Sequence, residues 1–105
     1  EGCLIMMRME PVEVGGRTAL AIEVKLPLTT LLAVTTDKGY IMCGALDVDL
    51  LNRKLKERGI IAGRATGVRT IEELLESPLE SVTYKAEELG ITPGMKGSDA
   101  VALMF

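Results

Sequence analysis

The stretch that decides the fold runs from Asp37 to Asp47 and reads DKGYIMCGALD. Its first residues are typical of a turn, in which a glycine can take a positive φ. Tyr40 to Cys43 then form an apolar run without polar alternation, which predicts a strand covered on both faces. After the next glycine, Asp47 is a good N-cap for a helix. The stretch therefore predicts a turn, a buried strand and a helix start, with Cys43 where the strand ends.

The residues that follow predict a crossover connection. Apolar residues at spacings of three and four after Asp47 indicate a helix with one inward stripe, which Gly59 ends. Ile60 to Ala62 then form a second short apolar run. A strand–helix–strand connection within one sheet makes the two strands parallel, and it should be right-handed.

The residues that precede this stretch predict antiparallel strands. Residues 4–14 alternate loosely and end at Gly15-Gly16, a two-residue hairpin signal. Thr18 to Leu26 read as the returning strand, and Leu31 to Thr35 as a third strand. On the returning strand one face carries Leu20, Ile22, Val24 and Leu26, and the opposite face carries Glu23 and Lys25.

Three further helices are predicted in the C-terminal part of the chain. Thr70 with Glu73 forms a capping box that opens a short helix, and Ser77 to Glu80 reads as a second capping box with proline at N1. Ser98 is expected to cap a last short helix, with an edge strand as the alternative. Together, the predicted strands and helices indicate an α/β (α+β) fold for residues 1–105. It is a single domain with a mixed β-sheet, N-terminal hairpins, one βαβ crossover and C-terminal helices packed on the sheet.

Composition excludes several classes of function. The 105 residues carry a net charge of −3, with three aromatic side chains and no clustered basic residues, so we expect no nucleic-acid partner. No apolar run is long enough to span a membrane. Without histidine, the chain cannot supply a Ser-His-Asp or Cys-His site or an ordinary zinc site, and we predict no metal and no cofactor. Two cysteines without a C-x-x-C motif fit a reducing cytoplasm.

The parallel strand pair predicts one candidate site. Both strands should end at the same edge of the sheet, where ligands commonly bind in open α/β sheets. Free backbone amides, helix N-termini and guanidinium groups at that edge would all favour an anion such as a phosphate or a carboxylate. The candidate ligand-binding residues are Gly44, Asp47, Gly63, Arg64, Thr66, Gly67 and Arg69, and the candidate catalytic residue is Cys43.

Each candidate residue also has a structural interpretation. Cysteine is among the most buried residue types, so an inert core residue is the alternative interpretation of Cys43 to a nucleophile. The negative charge of Asp47 would oppose a thiolate nearby. Arg64 and Arg69 can pair with neighbouring glutamates, and the glycines can serve tight turns. The glycine-rich string matches no phosphate-loop or dinucleotide fingerprint.

Several segments of the chain together resemble the YunC-like family of bacterial and archaeal proteins. The resemblance covers about residues 10 to 100, and its most specific part is the block from Asp37 to Asp47. Its other segments are Thr29 to Ala33, Ile61 to Ala65, Gly67 to Thr70, Gly90-Ile91 and Pro93 to Met95. It implies a small, stand-alone, cytoplasmic domain, and it supplies no reaction or catalytic residue.

Three hypotheses of function follow from these residues. The leading one is a homo-oligomeric module that binds a small anionic metabolite at the shared strand edge. The second is an enzyme that uses Cys43 as nucleophile, with Arg64 and backbone amides stabilising an oxyanion. The third is a structural oligomer, whose apolar strand faces are buried between subunits.

Overall fold

The computed structural model describes residues 6–26, 29–44 and 59–105, and these residues form one six-stranded sheet. The strands lie in chain order across the sheet. Their bounds are β1 Met6–Val14, β2 Arg17–Leu26, β3 Thr29–Thr35, β4 Gly39–Met42, β5 Ile61–Arg64 and β6 Ser81–Val82. The three described helices are α1 Ile71–Glu76, α2 Tyr84–Glu88 and α3 Gly97–Ala102. The predicted fold class is confirmed.

Antiparallel pairing joins β1 to β2, β2 to β3 and β3 to β4. Gly15 and Gly16 form the first turn with φ values of 60° and 81°, as a two-residue turn with positive φ at both central positions requires. The next pair, β4 and β5, is parallel, with Met42 opposite Arg64. The predicted parallel arrangement is therefore present. The helix expected to start at Asp47 lies outside the described residues.

The two faces of this sheet differ in what covers them. We call the side that packs on α1 and α3 the covered face. Its core combines small and aliphatic strand residues with helix residues, namely Ala19, Ala21, Leu32, Val34, Ile41, Leu74, Ala100 and Val101. Gly97 allows α3 to approach closely, because a Cβ at this position would overlap the carbonyl oxygen of Leu74. Small residues at the contacts let helices and sheet pack tightly against each other.

The opposite side of β1 to β3 carries larger apolar residues, and we call it the open face. Cross-strand partners share a face, so the register assigns to it Met7, Met9, Pro11, Leu20, Ile22, Val24, Leu31 and Ala33. Met7 and Met9 are 63% and 57% exposed, and Ile22 and Val24 are half-buried. The alternation predicted for β2 is thus present, but its large residues lie on the less buried side.

One predicted helix start is wrong. Ser77 to Glu80 do not open a helix, because their backbone pairs with a segment further along the chain. The N–H of Leu79 donates to the carbonyl of Met95 at 2.8 Å, and the N–H of Gly97 donates to the carbonyl of Ser77 at 3.0 Å. The helix begins later, after Thr83, whose Oγ1 accepts a hydrogen bond from the N–H of Ala86.

The last two residues of the chain hold the turn between β3 and β4. The hydroxyl of Thr36 donates to the carbonyl oxygen of Met104 at 2.9 Å, and Lys38 Nζ donates to the carbonyl oxygen of Phe105 at 3.2 Å. The guanidinium of Arg17, in the neighbouring hairpin, lies 5.8 Å from the centre of the Phe105 ring. Residues from opposite ends of the described chain therefore meet at one end of the sheet.

Candidate functional site

Arg64 is the last residue of β5, and pairing on both sides fixes its backbone. It lies opposite Met42 in the parallel ladder and opposite Ser81 in the antiparallel one. Its carbonyl accepts a hydrogen bond from the N–H of Glu80, and the N–H of Ala65 donates to the carbonyl of Met42 at 2.9 Å. The sheet therefore fixes the point from which the guanidinium group extends.

The guanidinium of Arg64 is incompletely paired. Its Nη1 lies 3.6 Å from Oε1 of Glu80, a long ion pair in which the Glu80 side chain is 53% exposed. Its Nε is buried and has no hydrogen-bond partner within the described part of the chain. A buried donor without an acceptor costs about 1–3 kcal/mol. The arginine side chain as a whole is 31% exposed, so solutes can reach its remaining nitrogens.

Gly44 and Thr66 flank this guanidinium. A Cβ built on Gly44 would lie 3.9 Å from Nη2 of Arg64 and 3.7 Å from Cγ2 of Thr66. Gly44 and Thr66 are both exposed. Three of the predicted ligand-binding residues therefore lie together at the carboxyl ends of the parallel strands, on a solvent-accessible edge.

Cys43 lies next to this edge in the sequence but on the other face of the sheet. Because side chains alternate along a strand, Met42 shares a face with Arg64, whereas Cys43 follows Ile41 towards the covered face. Its side chain is 6% exposed, and its sulfur lies 3.9 Å from the carbonyl oxygen of Thr30. A nucleophilic thiol needs access to solvent and substrate, and neither is offered in this position.

The other predicted site residues have different surroundings. Gly63 is buried on the covered face against Leu79, and Gly67 is an exposed turn residue with a φ of 75°. Arg69 is exposed, and its backbone N–H donates to Oε1 of Glu73. Asp47 lies outside the described residues. Sequence reasoning missed Glu80 as the partner of Arg64, because the short strand β6 was not predicted.

The capping box at the start of α1 is shifted by one residue at its acidic end. Thr70 Oγ1 accepts from the N–H of Glu73 at 3.0 Å, as predicted, but the Glu73 carboxylate binds the N–H of Arg69 instead of that of Thr70. The helix has six residues, and its acidic residues Glu72 and Glu73 fill the first turn. This helix start therefore caps the amide of Glu73 itself, and its two carboxylates disfavour an external anion.

A second concave region lies between α1 and the first hairpin. It is a cleft of about 270 Å³, lined among others by Arg8, Glu10, Glu23, Thr70 and Glu72. Arg8 pairs with Glu10 at 2.7 Å and with Glu23 at 3.2 Å. Since one arginine faces three glutamates, the cleft has a net negative charge and does not favour an anion.

The described residues contain neither a candidate metal site nor a candidate membrane-spanning helix. No group of three or more cysteine, aspartate or glutamate residues in them is arranged to hold a metal ion. In the same residues no helix has the length and apolar character needed to cross a bilayer.

Comparison with known proteins finds three similarities. A family model described as a domain of unknown function, DUF1805, matches residues 42–104. The chain is 61% identical over 100 residues to "Uncharacterized protein YunC" of Bacillus subtilis (strain 168), which covers 95% of this chain and 99% of that protein. It is also similar to the crystal structure of a protein of unknown function, TA1206, from Thermoplasma acidophilum. That similarity has a TM-score of 0.88 and 28% identity, and it covers 100% of this chain and 99% of the other.

Proposed function

The chain belongs to the DUF1805 family, and we propose that it binds a small anionic metabolite, bearing a phosphate or a carboxylate, through Arg64 at the carboxyl ends of β4 and β5. The same comparisons confirm the predicted resemblance to the YunC-like family. The matched family and proteins are described without a reaction or a ligand, so the proposal depends on the chemistry of this site.

The observation that carries the proposal is the incomplete pairing of the Arg64 guanidinium. Within residues 6–26, 29–44 and 59–105 its buried Nε donor has no acceptor, and its contact with Glu80 is long. Buried polar groups in folded proteins are nearly always hydrogen-bonded, and the exceptions often have a functional reason. An oxyanion is the natural complement, because a guanidinium can donate two parallel hydrogen bonds to a carboxylate or a phosphate.

The neighbours of Arg64 support an open binding position. Gly44 has no side chain to fill the space beside Nη2, and the Thr66 methyl lies 3.7 Å from where its Cβ would be. We propose that the ligand occupies this space and that the Thr66 hydroxyl supplies a further hydrogen bond. Glu80 competes with the ligand for the guanidinium, which sets a moderate affinity.

We observe nothing that favours catalysis by Cys43 over binding. Its thiol is buried on the covered face, and Arg64 extends on the opposite one. Iodoacetamide labelling between pH 6 and 9 separates the two hypotheses. We expect Cys43 to stay unmodified in the native protein and to react after denaturation, whereas rapid native labelling would favour the enzyme hypothesis.

The binding test is a thermal-shift screen of phosphorylated compounds and carboxylic acids, followed by calorimetry on each ligand found. Arg64→Gln should weaken binding at least about 10-fold, since a charge-assisted hydrogen bond is worth about 1.5–3 kcal/mol. Glu80→Gln should strengthen it, because the competing carboxylate is removed. Lys85→Gln is the matched control: it removes one positive charge elsewhere and should leave affinity unchanged.

Two results would contradict this proposal. One is a ligand whose affinity is the same for Arg64→Gln and for Lys85→Gln, because binding then depends only on overall charge or lies elsewhere. The other is an affinity that falls with Arg69→Gln but not with Arg64→Gln. That result would move the anion site to the loop before α1.

A further inference from the structure

We infer that the ligand of Arg64 is a carboxylate rather than a phosphate, a choice that rests on the proposed function and narrows it. The carboxylate is bound side-on, by two parallel hydrogen bonds from Nε and Nη2 of the guanidinium. The free edge of the guanidinium, the shelter around Nε and the charge of Glu80 all favour this ligand class.

The contacts of Arg64 leave one edge of its guanidinium without an acceptor within the described part of the chain. Covalent geometry places Nε–H and one N–H of Nη2 side by side, whereas Nη1 points away from this edge. Glu80 lies on the Nη1 side, at 3.6 Å, and the buried Nε has no acceptor there. Two parallel N–H groups match the two oxygens of a carboxylate. Glu80 therefore competes with a ligand through its charge and does not occupy this edge.

Gly44 leaves room for an oxygen beside Nη2. A Cβ on this glycine would lie 3.9 Å from Nη2 of Arg64, and an acceptor oxygen lies about 2.9 Å from its donor nitrogen. A methyl group at this position is therefore close enough to contact an oxygen that Nη2 binds. The methyl group itself would meet the protein only at ordinary contact distances, and the φ of Gly44 is not in the left-handed region.

The buried position of Nε favours a planar oxyanion. Because Nε is buried, an oxygen reaches it only when a neighbouring side chain moves aside. The two oxygens of a bidentate carboxylate lie in the plane of the guanidinium, so they need only a narrow opening. A phosphate has further oxygens above and below that plane, which would lose water in the same place. The shelter around Nε therefore costs a phosphate more than it costs a carboxylate.

The charge of the site matches a ligand with one negative charge. Arg64 and Glu80 carry opposite charges and lie 3.6 Å apart, so together they are neutral. A carboxylate adds one negative charge, whereas a phosphate monoester carries about −1.5 to −2 at pH 7. Glu80 consequently repels a phosphate nearly twice as strongly as a carboxylate.

The residues that follow β5 do not compensate a second negative charge. Phosphate sites often use the free N–H groups at a helix start. The next described helix, α1, has Glu72 and Glu73 in its first turn. The Glu73 carboxylate also accepts the backbone N–H of Arg69, so the next arginine along the chain lies beside a negative charge.

The experiment compares three small anions by NMR titration of the full chain, labelled with ¹⁵N. Propionate is planar and singly charged, methanesulfonate is tetrahedral and singly charged, and methyl phosphate is tetrahedral and more highly charged. We expect propionate to bind at least about 10-fold more tightly than methyl phosphate and to shift the Nε–H resonance of Arg64. Methanesulfonate should bind with intermediate affinity, which separates the effect of shape from that of charge.

Four variants test the geometry of binding. Arg64→Lys keeps the charge but not the paired N–H groups, so it should lose as much propionate affinity as Arg64→Gln. Gly44→Ala should weaken propionate binding about 10-fold and leave the thermal transition unchanged, since its Cβ fits the protein but contacts the ligand. Glu80→Gln should strengthen methyl phosphate binding more than propionate binding. Arg69→Lys is the matched control and should leave propionate affinity unchanged.

Three results would overturn the assignment to a carboxylate and leave the proposed function intact. They are methyl phosphate binding that equals or exceeds propionate binding and is lost in Arg64→Gln, wild-type propionate affinity in Arg64→Lys, and an Nε–H resonance that stays fixed while propionate binds. Two other results would contradict the proposed function itself: no binding of any of the three anions, or binding that Arg64→Gln does not change.

Discussion

Both faces of the sheet carry apolar residues, but these residues have different consequences for the protein on each face. The covered face has small residues such as Ala19 and Ala21 on β2, and helices lie directly on them. The open face has larger ones, such as Ile22 and Val24 on the same strand, and they remain half-buried. Burial in this protein therefore depends on which layer packs against a residue more than on how hydrophobic the residue is. Stability should accordingly depend more on the covered face than on the open one.

The largest expected contrast is between two leucines on neighbouring strands. Leu32 is 1% exposed on the covered face, and Leu20 is half-buried on the open face. Leu32→Ala should cost about 3 kcal/mol because it leaves a cavity in the core, whereas Leu20→Ala should cost about 1 kcal/mol. Urea unfolding followed by circular dichroism measures both, since the chain has no tryptophan.

Both leucine variants are best compared at one low protein concentration, so that self-association does not add to the measured stability. Equal losses for the two leucines would show that something covers the open face within the monomer. That result would remove the difference between the faces.

The second contrast is between two glycines near α3. A Cβ at Gly97 would overlap the carbonyl oxygen of Leu74 and lie 3.1 Å from Cδ1 of Ile41, so Gly97→Ala must push α3 away from its neighbours. We expect a loss of about 2–3 kcal/mol. Gly94→Ala meets open space but keeps a φ of +92°, and backbone strain alone should cost about 1 kcal/mol.

Thermal unfolding of the two glycine variants shows which substitution costs more stability. A smaller loss for Gly97→Ala than for Gly94→Ala would mean that close packing of α3 contributes less than backbone conformation. The covered face would then be a looser layer than its contacts indicate.

The smallest expected contrast concerns two threonines. Thr70→Ala removes the cap that holds the first turn of α1 on the covered face, and should cost about 1 kcal/mol. Thr70→Ser keeps the acceptor oxygen and should restore most of that stability. Thr18→Ala, at an exposed position of β2, should change stability by less than about 0.5 kcal/mol.

Chemical denaturation resolves differences of this size when the variants are measured side by side. If Thr70→Ala and Thr18→Ala cost the same, the cap is not what keeps α1 in place. The helix would then depend on Leu74, which is buried in the core.

Local signals in the sequence predicted the elements that depend on local chemistry. Gly15-Gly16 predicted the first hairpin, because only glycine readily takes positive φ at both central positions. The apolar runs around Tyr40 and Ile61 predicted the parallel pair. Thr70 predicted the start of α1, because its hydroxyl caps an amide three residues away.

Features that depend on distant partners could not be predicted in the same way. Ser77 to Glu80 have the residues of a capping box, yet long-range pairing of Leu79 with Met95 overrides that preference. Alternation in β2 showed that two faces exist, but not which of them a helix would cover. Arg64 and Gly44 were expected together and lie together, since both lie at the carboxyl ends of paired strands. The opposite orientation of Cys43 follows only from the register of Met42 with Arg64, which the sequence does not contain.

The contact of Thr36 with Met104 has a consequence for how the molecule folds. The two residues are 68 positions apart, so the β3–β4 turn gains this hydrogen bond only after the intervening chain has been ordered. Because long-range contacts have to overcome the entropy of loop closure, they slow folding. During synthesis on the ribosome, the early strands must wait for residues made much later before this end of the sheet closes. Until then this end of the sheet stays open, and chaperone binding would be most useful in that interval.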